Sequence, residues 1–373
     1  MPTLKILAAV MAAALAASCP AFADDAAPDS VEVQNELDAL VEKCDAGDAG
    51  QCLKAAAAFH DGSGTQADPA KAAELMTKAC DLGEVEACRS VASAYASGDG
   101  VAKDDAEAIR LHSIACDKGS ADSCRDAAAL IEAQGGDEDK AKAKAKAGQM
   151  LAKACELKDA PSCLSLGQQS LDGDDAAKAA APGFFEKACG LDDAEGCYSL
   201  ALIRKDAGDA AAASGLLSKA CELGKGAACG EAAALEEASG DEGAKKAGQL
   251  YAKGCEADDG GSCIKAARAL AKGGTQDGLK AAAAPYAKAC SLKDGEACYR
   301  LAMLTARGIA SGDPDEAGAL VLYKQSCEAG YGPGCAAAAA MLASGRGADK
   351  DENAARDLQA KGCELGFKRA CGE

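Results

Sequence analysis

Residues 78–88 read Lys78-Ala79-Cys80-Asp81-Leu82-Gly83-Glu84-Val85-Glu86-Ala87-Cys88, and residues 219–229 repeat the pattern as Lys219-Ala220-Cys221-Glu222-Leu223-Gly224-Lys225-Gly226-Ala227-Ala228-Cys229. In both, two cysteines stand eight positions apart with a glycine between them. Eight residues along one continuous helix would separate the two Cα atoms by about 12 Å. A disulfide needs about 4.4 to 6.8 Å, so a link between the two demands that the chain turn. Glycine just past a helix end takes the left-handed conformation that closes it. The stretch therefore reads as the end of one helix, a tight turn and the start of the next.

The same spacing recurs along the chain. Setting Cys19 aside, the cysteines fall into the pairs Cys44/Cys52, Cys80/Cys88, Cys116/Cys124, Cys155/Cys163, Cys189/Cys197, Cys221/Cys229, Cys255/Cys263, Cys290/Cys298, Cys327/Cys335 and Cys363/Cys371. From pair to pair the distance varies between 32 and 39 residues, while the spacing inside a pair never varies, so the constraint acts within the pair. The third residue after the first cysteine is glycine in six pairs (Gly47, Gly83, Gly119, Gly224, Gly330, Gly366). In the other four an aspartate follows at the next position (Asp159, Asp193, Asp259, Asp294). An antiparallel hairpin also brings Cys52 near Cys80 and Cys88 near Cys116. That scheme strands Cys44 and Cys371, whereas links within the pairs use all twenty cysteines.

Between pairs the pattern is two helices and a loop. An apolar stretch from Cys88 to Ser97 stops at Gly98-Asp99-Gly100, and Asp104-Asp105 opens a second helix through Ile109 and Ile114 to Cys116. Gly62-Ser63-Gly64 before Asp68-Pro69 and Gly345-Arg346-Gly347 before Asp349 repeat this arrangement. Aspartate at an N-cap followed by proline at the first helical position is a start signal with a mechanism. Lysine two places before the first cysteine (Lys78, Lys153, Lys187, Lys219, Lys253, Lys288, Lys361) is expected to meet the negative end of its own helix dipole. The predicted fold class is all-α, an α/α solenoid (superhelix) of about ten disulfide-clamped helix-turn-helix repeats over residues 36–373.

Ahead of the array, Lys5 precedes an apolar run from Ile6 to Ala17, and Ala21-Phe22-Ala23 presents small residues at a cleavage site. Residues 1–23 are expected to be a signal peptide, residues 24–35 a leader, and the mature chain periplasmic or secreted. The run is too short for a permanent transmembrane helix. The alternative is a lipoprotein anchored through Cys19 after Ala16-Ala17-Ser18, with Leu15 one place too far upstream and Pro20 awkward beside it.

Composition narrows the function classes. Lysine plus arginine is 40 against 59 for aspartate plus glutamate, a formal charge of −19, without a basic cluster in the sequence to neutralise a run of phosphates. Nucleic acid is not an expected partner. Aromatics are 3% and tryptophan is absent, so the core must be built from small side chains that bury little apolar area per residue. The clamps are expected to make good that deficit.

The run Lys-Ala-Cys-x-Leu-Gly-x4-Cys, at Lys78–Cys88 and Lys219–Cys229, resembles the Sel-like (TPR-related) repeat in the cysteine-rich form of the Helicobacter-type (Hcp) secreted proteins. The resemblance extends from Cys44 to the C-terminus. It implies paired antiparallel helices stacked in a superhelix with one disulfide per repeat. Around Asp206-Ala207-Gly208-Asp209 and in the lysine-alanine-rich insert from Gly135 to Lys146 the chain departs from the pattern.

Chemistry was sought against this background. Zinc sites place cysteines two to four residues apart, often with histidine. Here the spacing is wider and only His60 and His112 exist, so no metal and no cofactor are expected. Eight of the ten first cysteines are followed directly by Asp or Glu, which opposes the thiolate that redox exchange requires. The resemblance also implies a penicillin-binding or weakly β-lactam-hydrolysing alternative. Ser262-Cys263-Ile264-Lys265 is the only Ser-x-x-Lys, making Ser262 and Lys265 the sole catalytic candidates, and neither Ser-Asp-Asn nor Lys-Thr-Gly accompanies them. The preferred expectation is a monomeric, non-catalytic scaffold with a protein or peptide ligand on the concave, acidic face of the array. Tyr95, Tyr198, Tyr251, Tyr286, Tyr299 and Tyr323 are either core or anchors in that reading.

Overall fold

The computed structural model describes residues 30–136, 139–237, 240–310 and 312–371. Cleavage site, apolar run and Cys19 lie outside the described residues. Among those described there are nineteen α-helices, one short 3₁₀ turn and no strand. The chain forms two compact units, residues 1–104 and 105–373. The first holds α1 (Ser30–Asp45), α2 (Ala49–Asp61), α3 (Pro69–Asp81) and α4 (Val85–Ser97). The second runs through α5 (Asp105–Asp117), α6 (Ala121–Gln134), α7 (Lys140–Glu156), α8 (Ala160–Leu171), α9 (Asp175–Gly190), α10 (Ala194–Asp206), α11 (Ala210–Glu222) and α12 (Gly226–Glu237). It continues with α13 (Gly240–Glu256), α14 (Gly260–Ala271), α15 (Gln276–Ser291), α16 (Gly295–Ala306), α17 (Glu316–Glu328), α18 (Gly332–Ser344), α19 (Glu352–Glu364) and the 3₁₀ turn Lys368–Ala370. The first helix starts at Ser30, inside the stretch 24–35 expected to be a leader. The insert from Gly135 to Lys146 contributes the first two turns of α7.

Ten disulfides clamp the junctions: Cys44–Cys52, Cys80–Cys88, Cys116–Cys124, Cys155–Cys163, Cys189–Cys197, Cys221–Cys229, Cys255–Cys263, Cys290–Cys298, Cys327–Cys335 and Cys363–Cys371. Their Cα–Cα distances run from 4.3 to 4.9 Å, which only a tight turn permits. Disulfides of this kind persist in an oxidising compartment, extracellular or periplasmic.

Each of these turns closes with one backbone pattern. In the second, the N–H of Gly83 donates to the Cys80 carbonyl and the N–H of Glu84 to the Ala79 carbonyl, the paired bonds of a Schellman motif. The longer bond of the pair recurs at all ten turns, from Asp48 to Lys43 through Phe367 to Gly362. The residue that completes it also stands at the N-cap of the following helix. Where it is aspartate, the carboxylate accepts a backbone N–H as well: Asp48 from Gln51, Asp159 from Ser162, Asp193 from Gly196, Asp259 from Ser262 and Asp294 from Ala297.

The left-handed position explains the glycine pattern. Six turns place glycine there, and the other four force Lys158, Asp192, Asp258 and Lys293 to φ of +68°, +60°, +62° and +66°. A side chain at such φ costs about 1–2 kcal/mol, which the aspartate cap that follows all four offsets. Lys158→Gly and Lys293→Gly should each raise stability by about 0.5–1 kcal/mol, the strain relief less the added freedom of the unfolded chain. Urea denaturation checks this; a loss of stability would mean that these turns are not left-handed.

Within each unit, packing runs from each helix to the next, both across the clamped turn and across the longer loop, which is the layout of an α/α solenoid. Alanine and cystine fill most of the core, with Tyr251, Phe185, Leu111, Leu217 and Val91 the bulkiest fully buried side chains. Glycine lets neighbouring hairpins approach. A Cβ on Gly332 would lie 2.8 Å from Phe367 Cβ, and one on Gly295 would lie 2.7 Å from Tyr331 Cβ. The second glycine of the loop does similar work, since a Cβ on Gly100 would stand 2.7 Å from Pro69 at the start of α3.

The lysines before the clamps lie in the last turns of their own helices, as expected, and four of them also reach across to the preceding hairpin. Lys78 Nζ reaches Asp45 at 2.5 Å, Lys153 reaches Asp117 at 2.6 Å, and Lys219 and Lys288 reach Asp192 and Asp258 at 2.9 Å. Lys219 and Lys288 also donate to the carbonyls of Cys189 and Glu256. Each thus bonds the preceding hairpin's turn. These pairs are solvent-exposed and modest in energy, and their value is in fixing how one hairpin sits on the one before it.

Candidate functional site

Ion pairs are frequent on the hairpin surfaces, and cations gather on α13 and α14. Lys265, Arg268 and Ala269 on α14 and its C-cap residue Lys272 are all exposed, at spacing i, i+3, i+4 and i+7, so three cations share one helical face. Beside them α13 presents Lys245, Gly248, Gln249 and Ala252, again spaced at i, i+3, i+4 and i+7. The open groove between α13 and α14 has a volume of about 950 Å³ and is closed at one side by Glu237. It is lined by Lys245, Lys265, Arg268 and Lys272 with Glu237 as the lining carboxylate; Lys245 also stands 3.8 Å from Glu242 and Arg268 pairs with Glu296, in a chain of net charge −19. Its floor is small: Ala244, Gly248, Ala252, Ala266 and Ala269.

Neighbouring residues hold the cations in place. Lys265 Nζ lies 5.0 Å from the centroid of the Tyr251 ring, a cation–π contact to a side chain that is 1% exposed. Burial, with Glu237 nearby, pushes the Tyr251 phenol up to about 12, so the ring stays neutral under the lysine. Arg268 pairs with Glu296 of α16 at 2.5 Å, and Arg300 reaches the other oxygen of Glu296 at 3.4 Å. The Arg268 hydrogen bond holds the Glu296 carboxyl below the usual carboxylate range, against the opposing effect of burial.

Glu296 is close enough to a tyrosine cluster to act electrostatically on Tyr331. The Tyr299 ring stands 5.4 Å from Tyr323 and 5.6 Å from Tyr331, both tilted. Tyr323, Tyr286 and Tyr251 are core residues, while Tyr95, Tyr198, Tyr299 and Tyr331 are half-buried. Tyr331 was not among the tyrosines singled out from the sequence. Tyrosine and arginine side by side in a partly buried cluster form the kind of surface that anchors protein partners.

The catalytic candidates are separated. Ser262 is 1% exposed; its backbone N–H donates to Asp259 and its hydroxyl is packed against Gly254 and Gly230. It belongs to the N-cap of α14, as Ser162 does in α8. Lys265 extends to the Tyr251 ring on the groove side. His60 is exposed beside Asp61, and His112 is 2% exposed within α5. Among the described residues no group of three or more His, Cys, Asp or Glu is placed to hold a metal ion, and no helix is long and apolar enough to cross a membrane.

Lysines and arginine that lie far apart in composition terms, on α13 and α14, converge once the two helices pack. The signal was present in the sequence as Lys265, Arg268 and Lys272 at helical spacing.

Four segments of the chain, residues 52–84, 85–120, 295–331 and 333–367, match the Sel1 repeat model. No curated protein matches the chain by sequence. Among solved structures, a protective antigen of uropathogenic Escherichia coli displaying an SLR fold is similar over 90% of this chain and 80% of its own, at 20% identity and a TM-score of 0.50, a likeness of fold. A Sel1 repeat protein from Oxalobacter formigenes aligns over 96% of this chain and 97% of its own at 17% identity and a TM-score of 0.47. Cysteine rich protein B of Helicobacter pylori aligns over 34% of this chain and 92% of its own at 27% identity and a TM-score of 0.28.

Proposed function

We propose that this Sel1-repeat chain is an exported scaffold that binds a protein or peptide partner and carries out no catalysis. The supporting observation is the α13–α14 groove, an open surface lined by four cations in a chain of net charge −19, whose Arg268 pairs with Glu296 of α16. Repeat arrays of helical hairpins lend themselves to such surfaces because every hairpin adds exposed faces without altering its neighbours. The burial of Ser262, which is 1% exposed, gives the β-lactam alternative no support, since a nucleophile must be reachable by its substrate.

On this reading the mature chain acts as a monomer in the periplasm or outside the cell. Partner binding draws on exposed charge, so it weakens as salt rises and the screening length falls below about 8 Å. A photo-crosslinking amino acid at Gln249, introduced in the native host, tests the proposal. Discrete adducts with one or a few proteins are expected, undiminished by Ser262→Ala. Absence of any protein adduct, together with nitrocefin turnover that Ser262→Ala abolishes, would replace the scaffold reading with the hydrolase one.

A further inference from the structure

We infer that the α13–α14 groove takes an acidic α-helical segment of a partner protein, with carboxylates at i, i+4 and i+7 meeting Lys265, Arg268 and Lys272. This rests on the protein-binding reading above and adds the chemistry of the partner.

Geometry supplies the first argument. Lys265 to Lys272 spans seven residues, about 10 Å along α14, and the three cations project from one face. Cations strung along a line suit an elongated ligand with the same repeat; a single small anion is better held by donors that converge on a point. A helix carries carboxylates at that repeat when acids occupy i, i+4 and i+7.

The floor supplies the second. Ala244, Gly248 and Ala252 on α13 and Ala266 on α14 put nothing larger than a methyl group into the groove, which Gln249 and the exposed Leu270 also line. Helix axes pack about 8–10 Å apart depending on the side chains between them. Small residues on the floor therefore let a third helix settle close to α13 and α14, with its own small face inward.

Charge supplies the third. At a distance, a chain of −19 repels acidic partners. Only a segment whose carboxylates coincide with the stripe recovers attraction, which turns the general repulsion into selectivity for spacing. The retained donors suffice: Arg268 uses part of its guanidinium on Glu296, and a guanidinium has five N–H groups.

The mature, oxidised protein and labelled alanine-based peptides of about four turns test this by fluorescence anisotropy. One peptide carries glutamates at i, i+4 and i+7; its isomer has the same composition with the glutamates spread around the helix. The striped peptide should bind about tenfold more tightly or better. Lys265→Glu combined with Lys272→Glu should cost at least about tenfold while the thermal melt is retained. Lys245→Ala with Lys272→Ala, which leaves the lysine on the Tyr251 ring, should weaken binding in the same direction.

Equal affinity for the two peptides, or unchanged affinity in both variants, would overturn the inference. So would displacement of the striped peptide by inorganic phosphate or by single-stranded DNA at lower concentration than by unlabelled striped peptide. Protein adducts at Gln249 with no preference for the striped peptide would leave the scaffold reading standing and remove only this one.

Discussion

Reduction of all ten disulfides under otherwise native conditions should lower the melting temperature by about 20 °C or more and broaden the transition. Each clamp closes about nine residues, for which loop-closure entropy gives about 2.5 kcal/mol. Even at half that value the ten together match the whole stability of an ordinary domain, about 5–15 kcal/mol. The core cannot absorb the loss, because it is made chiefly of alanine and of the cystines themselves. Broadening follows from the repeat layout, in which each hairpin is held by its own clamp and its nearest neighbours, so that reduced hairpins melt separately. Calorimetry with and without strong reductant decides it. An unchanged, equally sharp melt would show that packing alone holds the array.

Gly347→Val should be the most damaging single substitution at a loop, costing about 3 kcal/mol or more. Gly347 has a φ of +76°, and a Cβ there would lie 2.4 Å from the Glu316 carbonyl oxygen at the start of α17. Backbone strain of about 1–2 kcal/mol adds to a clash with a backbone atom that cannot rotate away. Gly330 is the control: its φ is +84°, yet a Cβ would meet nothing within 4 Å. Gly330→Ala should therefore cost only about 1 kcal/mol, the conformational term alone. Hydrogen exchange should show the Gly347→Val effect as faster opening of α17 to α19. Equal effects of the two substitutions would mean that Gly347 does not pack against the preceding hairpin.

The fold was legible because its determinants are local. A fixed spacing of two cysteines around a glycine and an aspartate start signal both act within one turn of chain, and the sequence states them directly. Even the four turns without glycine announced themselves, through Asp159, Asp193, Asp259 and Asp294, which cap the next helix. What distant residues do to one another was less legible. The lysines before the clamps stand at their own helix ends as read, but that hairpin stacking also gives Lys78, Lys153, Lys219 and Lys288 the preceding turn, at Asp45, Asp117, Asp192 and Asp258, was not readable.

The candidate site was harder still. Net charge describes a whole surface, whereas the groove depends on which residues two packed helices turn toward the same space. The periodicity of Lys265, Arg268 and Lys272 was readable, but the contribution of Lys245 and the small floor of α13 needed the packing. Ser262 drew attention through a four-residue match. Its actual surroundings, the N-cap of α14 with Gly254 and Gly230 pressed against it, come from where the clamp at Cys263 places the helix start.

The central claim, that every hairpin is closed by its own clamp, is tested most directly by peptide mapping of the mature protein, digested without reduction at acidic pH to prevent exchange. The account predicts ten links, each joining cysteines eight positions apart, from Cys44–Cys52 to Cys363–Cys371. Abundant Cys52–Cys80 or Cys88–Cys116 peptides would contradict it.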